Sequence, residues 1–95
     1  MAYRVVIALS AERDLADILD FIAADNPRRA LSFVDDLQER TAKTLAGFPQ
    51  SGRAYESGTR FIVLGNYVVL YDIDEDAKTV TVLHVFPGGR NWRET

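Results

Sequence analysis

The sequence predicts an α+β domain: an N-terminal strand, an antiparallel helical hairpin and a three-stranded antiparallel meander (β-α-α-β-β-β), with the helices packed on one face of the sheet. Three observations predict it. Apolar residues from Leu15 to Phe48 recur every three or four positions, the period of helices with one buried face. Only Asn26-Pro27 separates the two periodic stretches, so the helices are antiparallel neighbours. From Thr59 onward, β-branched and aromatic runs are broken by Gly65-Asn66 and by Asp74–Lys78, the signature of strands joined by tight turns.

Each element has its own signal. Tyr3 to Leu9 is apolar and β-branched apart from Arg4, and reads as a strand. Ser10 is a good N-cap, with Glu12 and Asp14 in the first turn, where they complement the helix dipole. Leu15, Ile18, Leu19 and Ile22 form one helix face, while Asp14, Asp17, Asp20 and Asp25 lie off it as a solvated surface. The helix stops before Asn26, because the residue ahead of a proline is pushed out of the α region. Asn26 then caps a second helix with Pro27 at its first position. That helix carries Ala30, Phe33, Val34, Leu37, Thr41, Thr44, Leu45 and Phe48 on one side and ends at Gly47 and Pro49.

Gln50 to Gly58 has no periodicity and reads as a loop. Strands follow at Thr59–Leu64, Tyr67–Ile73 and Thr79–Phe86. The first strand must join these three in one sheet, since a lone strand leaves its backbone unpaired. Simple alternation puts Val80, Val82, His84 and Phe86 on one face and Thr81, Leu83 and Val85 on the other. Both faces then read as largely apolar, and the helices cover one. A second apolar face implies a covering tail or another chain.

Composition bounds the function. Residues 1–95 are the length of one domain, small enough for a partner to matter to its stability. No cysteine means no disulfide and no thiolate metal site, and one histidine argues against a zinc site or a triad. No metal and no cofactor is expected. The first residues are too short and polar for a signal peptide, and no apolar run spans a membrane. The expected location is the cytoplasm. The net charge of −3 and the pI of about 5.0 argue against direct nucleic-acid binding by the isolated chain and towards a protein partner.

Few side chains carry chemistry. His84, the sole imidazole, stands mid-strand without a nucleophile at a suggestive spacing and reads as a residue bonded to a neighbour. Tyr67 and Tyr71 read as core aromatics with hydroxyls reaching an edge. Asp72 to Asp76 does not meet the calcium-loop pattern and reads as a hairpin turn. Arg53, Arg60 and Arg90 remain as weak catalytic candidates: guanidinium groups at one sheet end could stabilise developing phosphate charge or pair with an acidic partner. Arg90, Trp92 and Arg93 lie beyond the last strand and are candidates for target contact or fold closure.

Taken together, Ser10 to Ile18, Asn26-Pro27 with Ala30 and Phe33, Leu45 to Pro49, Gly52-Arg53, Arg60, Asn66 to Tyr71, Val82 to Val85 and Gly89-Arg90 resemble the ParE/RelE superfamily of bacterial toxins from type II toxin–antitoxin operons. The resemblance implies the fold given above and a hetero-oligomer with a cognate antitoxin, whose C-terminal segment would wrap the helical hairpin and the open sheet face. Leu15, Ile18, Phe33, Leu37, Tyr71, His84 and Phe86 are the expected antitoxin contacts. RelE-type members are ribosome-dependent mRNA endonucleases, and ParE-type members poison DNA gyrase. The endonuclease branch carries basic residues where this chain has Ile62, Val63 and Val68, and a tyrosine or histidine near the C-terminus where this chain has no tyrosine after Arg90. Phe86-Pro87 stands where many ParE-type members have histidine and glycine. The resemblance is closer to ParE and implies a non-enzymatic gyrase poison. The alternatives are a RelE-like endonuclease and an inactive antitoxin-binding module.

Overall fold

The computed structural model describes residues 2–88. Along the chain come β1 (Arg4–Ile7), α1 (Leu9–Ala23), α2 (Pro27–Gly47), β2 (Arg53–Ala54), β3 (Arg60–Leu64), β4 (Tyr67–Asp74) and β5 (Thr79–Pro87). Single 3-10 turns at Pro49–Ser51 and Glu56–Gly58 flank β2. The strands form one sheet of order β1-β5-β4-β3-β2, with β1 parallel to β5 and the other pairs antiparallel. The expected α+β architecture is present, with one strand more than expected: β2 forms inside the stretch that lacks periodicity.

The helix boundaries show where local signals hold. Asn26 caps α2 by accepting a hydrogen bond from the Arg29 amide at 3.1 Å, and Pro27 opens the helix. Ser10 does not cap α1. The helix begins at Leu9, with Ala8 as a cap that makes no side-chain bond. The Ser10 hydroxyl instead donates to the Leu83 carbonyl at 2.6 Å. A bond to a distant strand has replaced a local one.

Ala11, Leu15 and Ile18 of α1 and Val34, Leu37 and Leu45 of α2 pack against Ile62, Val69, Tyr71, Val80, Val82 and Val85 of the sheet. Thr41, buried in α2, keeps its hydroxyl paired with the Leu37 carbonyl at 2.7 Å. Val5 and Ile7 join this core while Arg4 and Val6 point away from it, the period-two pattern of a half-buried strand.

Strand β5 departs from simple alternation. Leu70 pairs with His84 but Tyr71 pairs with Val82, so β5 carries an extra residue at Leu83. The bulge shifts the phase of everything beyond it. Val85, not His84, therefore follows Val80 and Val82 into the core. The expectation that His84 and Phe86 share the face of Val82 is corrected for that reason.

The second sheet face is not uniformly apolar either. Phe61, Val63, Val68, Leu70 and Phe86 occupy its β3–β4 side, with Phe61 covered edge-on by the Tyr55 ring at 6.2 Å. Arg4, Asp72, Asp74, Thr79 and Thr81 line a broad polar depression on its other side. No helix among the described residues is long and apolar enough to cross a membrane.

Candidate functional site

Two ends of the sheet gather the side chains that carry chemistry. At the first, Arg53 and Arg60 stand on the neighbouring strands β2 and β3, Arg53 opposite Phe61 and Arg60 opposite Ala54, so strand alternation turns the two side chains to opposite faces of the sheet. The link between them is anchored from beneath. The Tyr71 hydroxyl accepts from the Gly52 amide at 3.0 Å and donates to the Pro49 carbonyl at 2.7 Å. Burial pushes the Tyr71 phenol above its ordinary range, opposed by the Gly52 bond and the Arg60 charge. Gly52 is required there by space. A Cβ on it would stand 2.3 Å from the Tyr71 hydroxyl and 2.6 Å from the Phe61 carbonyl. Arg60 closes the arrangement by donating to the Gly52 carbonyl at 2.8 Å. Its guanidinium is thus committed to holding the link, whereas Arg53 is exposed and makes no ion pair with a described residue. Arg90, the third member of the expected cluster, lies outside the described residues, as do Trp92 and Arg93.

At the second, α1 takes over from β1 along β5. Strand β1 ends at Ile7, opposite Val82, and Ala8 donates to the Val82 carbonyl. From there the side chains of α1 continue the pairing. Ser10 holds the Leu83 carbonyl, and one Asp14 oxygen accepts from the Val85 amide at 2.9 Å and lies 2.9 Å from His84 Nδ1. His84 is half exposed, at the strand edge. It is bonded to a neighbour as the sequence suggested, but that neighbour is an aspartate read there as solvated surface. Beyond Asp14 an apolar groove runs between α1 and the end of β5, lined by Asp17, Ile18, Phe21, Val85, Phe86 and Pro87.

The expected antitoxin contacts divide sharply. Leu15, Ile18, Leu37 and Tyr71 are core residues, each at most 6% exposed, and offer little surface to another chain. Their side chains belong to the core shared by the helices and the sheet, and their role as antitoxin contacts stays an expectation of the resemblance. Phe33, His84 and Phe86 retain accessible surface; the Phe33 ring packs tilted against Tyr67 at 5.5 Å, under the Arg29 guanidinium. Among the described residues the exposed large apolar side chains lie elsewhere, at Val6, Leu9, Phe21, Leu31, Phe48 and Val63. Phe21 had a readable signal: it is an aromatic on the helix face that also carries Asp14 and Asp17. Among the described residues no group of three or more His, Asp or Glu is placed to hold a metal ion.

Comparison with known proteins follows the fold. The family model of the ParE toxin of type II toxin–antitoxin systems, parDE, matches residues 5–92. The chain belongs to this toxin family. Among solved structures, this ParE-family chain is similar to a chain of the RelBE2 toxin–antitoxin complex from Mycobacterium tuberculosis, at 27% identity and a TM-score of 0.70 with 92% of each chain covered. It is also similar in fold to a chain of the chromosomal ParDE system from P. aeruginosa, at 22% identity and a TM-score of 0.81, covering 93% of this chain and 98% of that one. A chain of the E. coli RelBE complex shares the fold at 15% identity and a TM-score of 0.65, over 94% and 100% of the two chains. No curated protein sequence matches at a significant level.

Proposed function

We propose that this toxin acts by binding DNA gyrase and trapping its cleaved DNA complex, in the cytoplasm, and that a cognate antitoxin neutralises it. The observation that carries the reading is the ParE family match taken with three positions on β3 and β4. Where the RelE branch is expected to carry basic side chains, this chain has Ile62 and Val68, both buried, and Val63. Arg60 is engaged by the Gly52 carbonyl, which leaves Arg53 as the uncommitted guanidinium of the pair. An antitoxin partner is supported by the M. tuberculosis, P. aeruginosa and E. coli systems that share the fold. Arg90, Trp92 and Arg93 remain the target contacts proposed on sequence alone.

Purified toxin in a gyrase supercoiling assay is expected to inhibit the reaction and accumulate linear DNA. Normal supercoiling at excess toxin contradicts the reading. The alternative reading is ribosome-dependent mRNA cleavage, for which the exposed Arg53 is the candidate guanidinium. New codon-specific cuts in a toeprint of translating ribosomes would select it.

A further inference from the structure

The outer edge of β3 is a site that the core and the family match leave unassigned. Strand β2 pairs with β3 only through Arg60 and Phe61, and no described strand lies beyond Ile62, Val63 and Leu64. The β3–β4 turn is a two-residue hairpin with Gly65 at a φ of 61°, closed by the pair Leu64–Tyr67. Counting the antiparallel alternation from that closing pair turns the Val63 amide and carbonyl outward, towards a lane that no described strand occupies. Among the described residues nothing blunts this edge. It carries no lysine, proline or bulge, and Val63 is 57% exposed. A groove of about 550 Å3 lies alongside, lined by Thr44 of α2, by Ser51 to Arg53 and by Phe61 to Leu64.

The lane also has a direction and a charge. β2 runs antiparallel to β3 with Arg53 opposite Phe61, so an added strand lying upstream of β2 in the same sense ends at Arg53. The chain itself leaves this lane at Gly52, drawn inward to the Tyr71 hydroxyl. An antiparallel guest therefore brings its C-terminal end to an exposed guanidinium that has no ionic partner among the described residues. A parallel guest would bring a positively charged or amide-bearing N-terminal end there, which the arginine disfavours.

We propose that the open edge of β3 binds an extended segment of a protein partner, antiparallel, with a carboxylate at the segment's C-terminal end paired to Arg53. Calling that partner the antitoxin rests on the function proposed above; the edge site and its polarity do not. Main-chain bonds to Val63 supply the register, and the carboxylate sets the direction.

The test uses the whole isotope-labelled chain and an N-acetylated, alternating valine–threonine octapeptide with a free C-terminal carboxylate. Its titration should shift the Val63 and Arg53 resonances. Amidating the peptide's C-terminus, or Arg53→Gln in the protein, should weaken binding about three- to tenfold, the range for a charge-assisted contact at a partly exposed site. Val63→Pro, which removes the outward amide, should weaken it further, and the spectrum of the free variant reports whether the fold survives. Arg53→Gln keeps the proposal testable if Val63→Pro does not fold, because Arg53 is exposed. Equal affinity for the free and amidated peptides overturns the proposal. So does the absence of any Val63 shift at millimolar peptide, or a Val63 shift that depends only on protein concentration and so marks a second copy as the occupant. None of these outcomes depends on whether gyrase is the target.

Discussion

The two flanks of the sheet solve the same problem in opposite ways. Strand β5 outruns β1, and α1 finishes the job: Ser10 and Asp14 reach the Leu83 carbonyl and the Val85 amide. Strand β3 outruns β2, and no described element continues the pairing beyond Phe61. An unpaired edge is a liability for a solitary protein and a docking rail for one with a partner. The difference separates a flank that the chain closes with its own helix from one that the described residues leave open.

Breaking the anchor of β2 should have the largest effect. Tyr71→Phe leaves the Gly52 amide and the Pro49 carbonyl without their partner, and should cost about 3 kcal/mol, since each buried orphan costs about 1–3 kcal/mol. Chemical denaturation measures it. Gly52→Ala pushes a methyl group into the same hydroxyl and should cost about 1–3 kcal/mol. The double variant should cost less than the sum, because removing the hydroxyl removes one of the two clashes; strict additivity would show that the Phe61 carbonyl alone decides the strain.

On the other flank, Asp14→Ala should cost about 1–2 kcal/mol by orphaning the Val85 amide, and Asp14→Asn should recover part of it because an amide oxygen still accepts. Thermal melts of the two variants would check this. The pH dependence separates the flanks further. Because the folded Tyr71 phenol is held above its ordinary value, its contribution is fully present below about pH 10 and is lost as the pH rises towards the folded value. Tyr71→Phe should flatten that alkaline loss, and Asp14→Ala should leave it unchanged. The smallest effect belongs to the open edge: Val63→Thr should move stability by no more than about 0.5 kcal/mol.

Much of the fold was legible because local chemistry and tertiary packing agree. Asn26-Pro27 and the Ala30, Val34, Leu37, Thr41 and Leu45 stripe predicted α2 and its buried face. Gly65-Asn66 predicted the β3–β4 turn. What was not legible depends on distant partners. Ser10 reads as a cap until a β5 carbonyl lies within its reach. Asp14 reads as solvated until β1 stops short of Val85. The Leu83 bulge leaves no local mark, since Leu, His and Val fit either phase of a strand, yet it decides that Val85 is core and His84 is edge. For the site the limit is similar. Periodicity finds buried faces such as that of Leu15, Ile18 and Leu37, whereas the exposed apolar side chains include Val63 and Phe21, which the stripes do not mark.

Amide hydrogen exchange on the free, full-length toxin puts the contrast between the two flanks to the most direct test. The Val85 amide, held by Asp14, should exchange more than about tenfold more slowly than the outward Val63 amide, and Asp14→Ala should erase most of that difference. Equal protection of the two amides in the unmodified chain would contradict the account, because it would mean that the β3 edge is already closed.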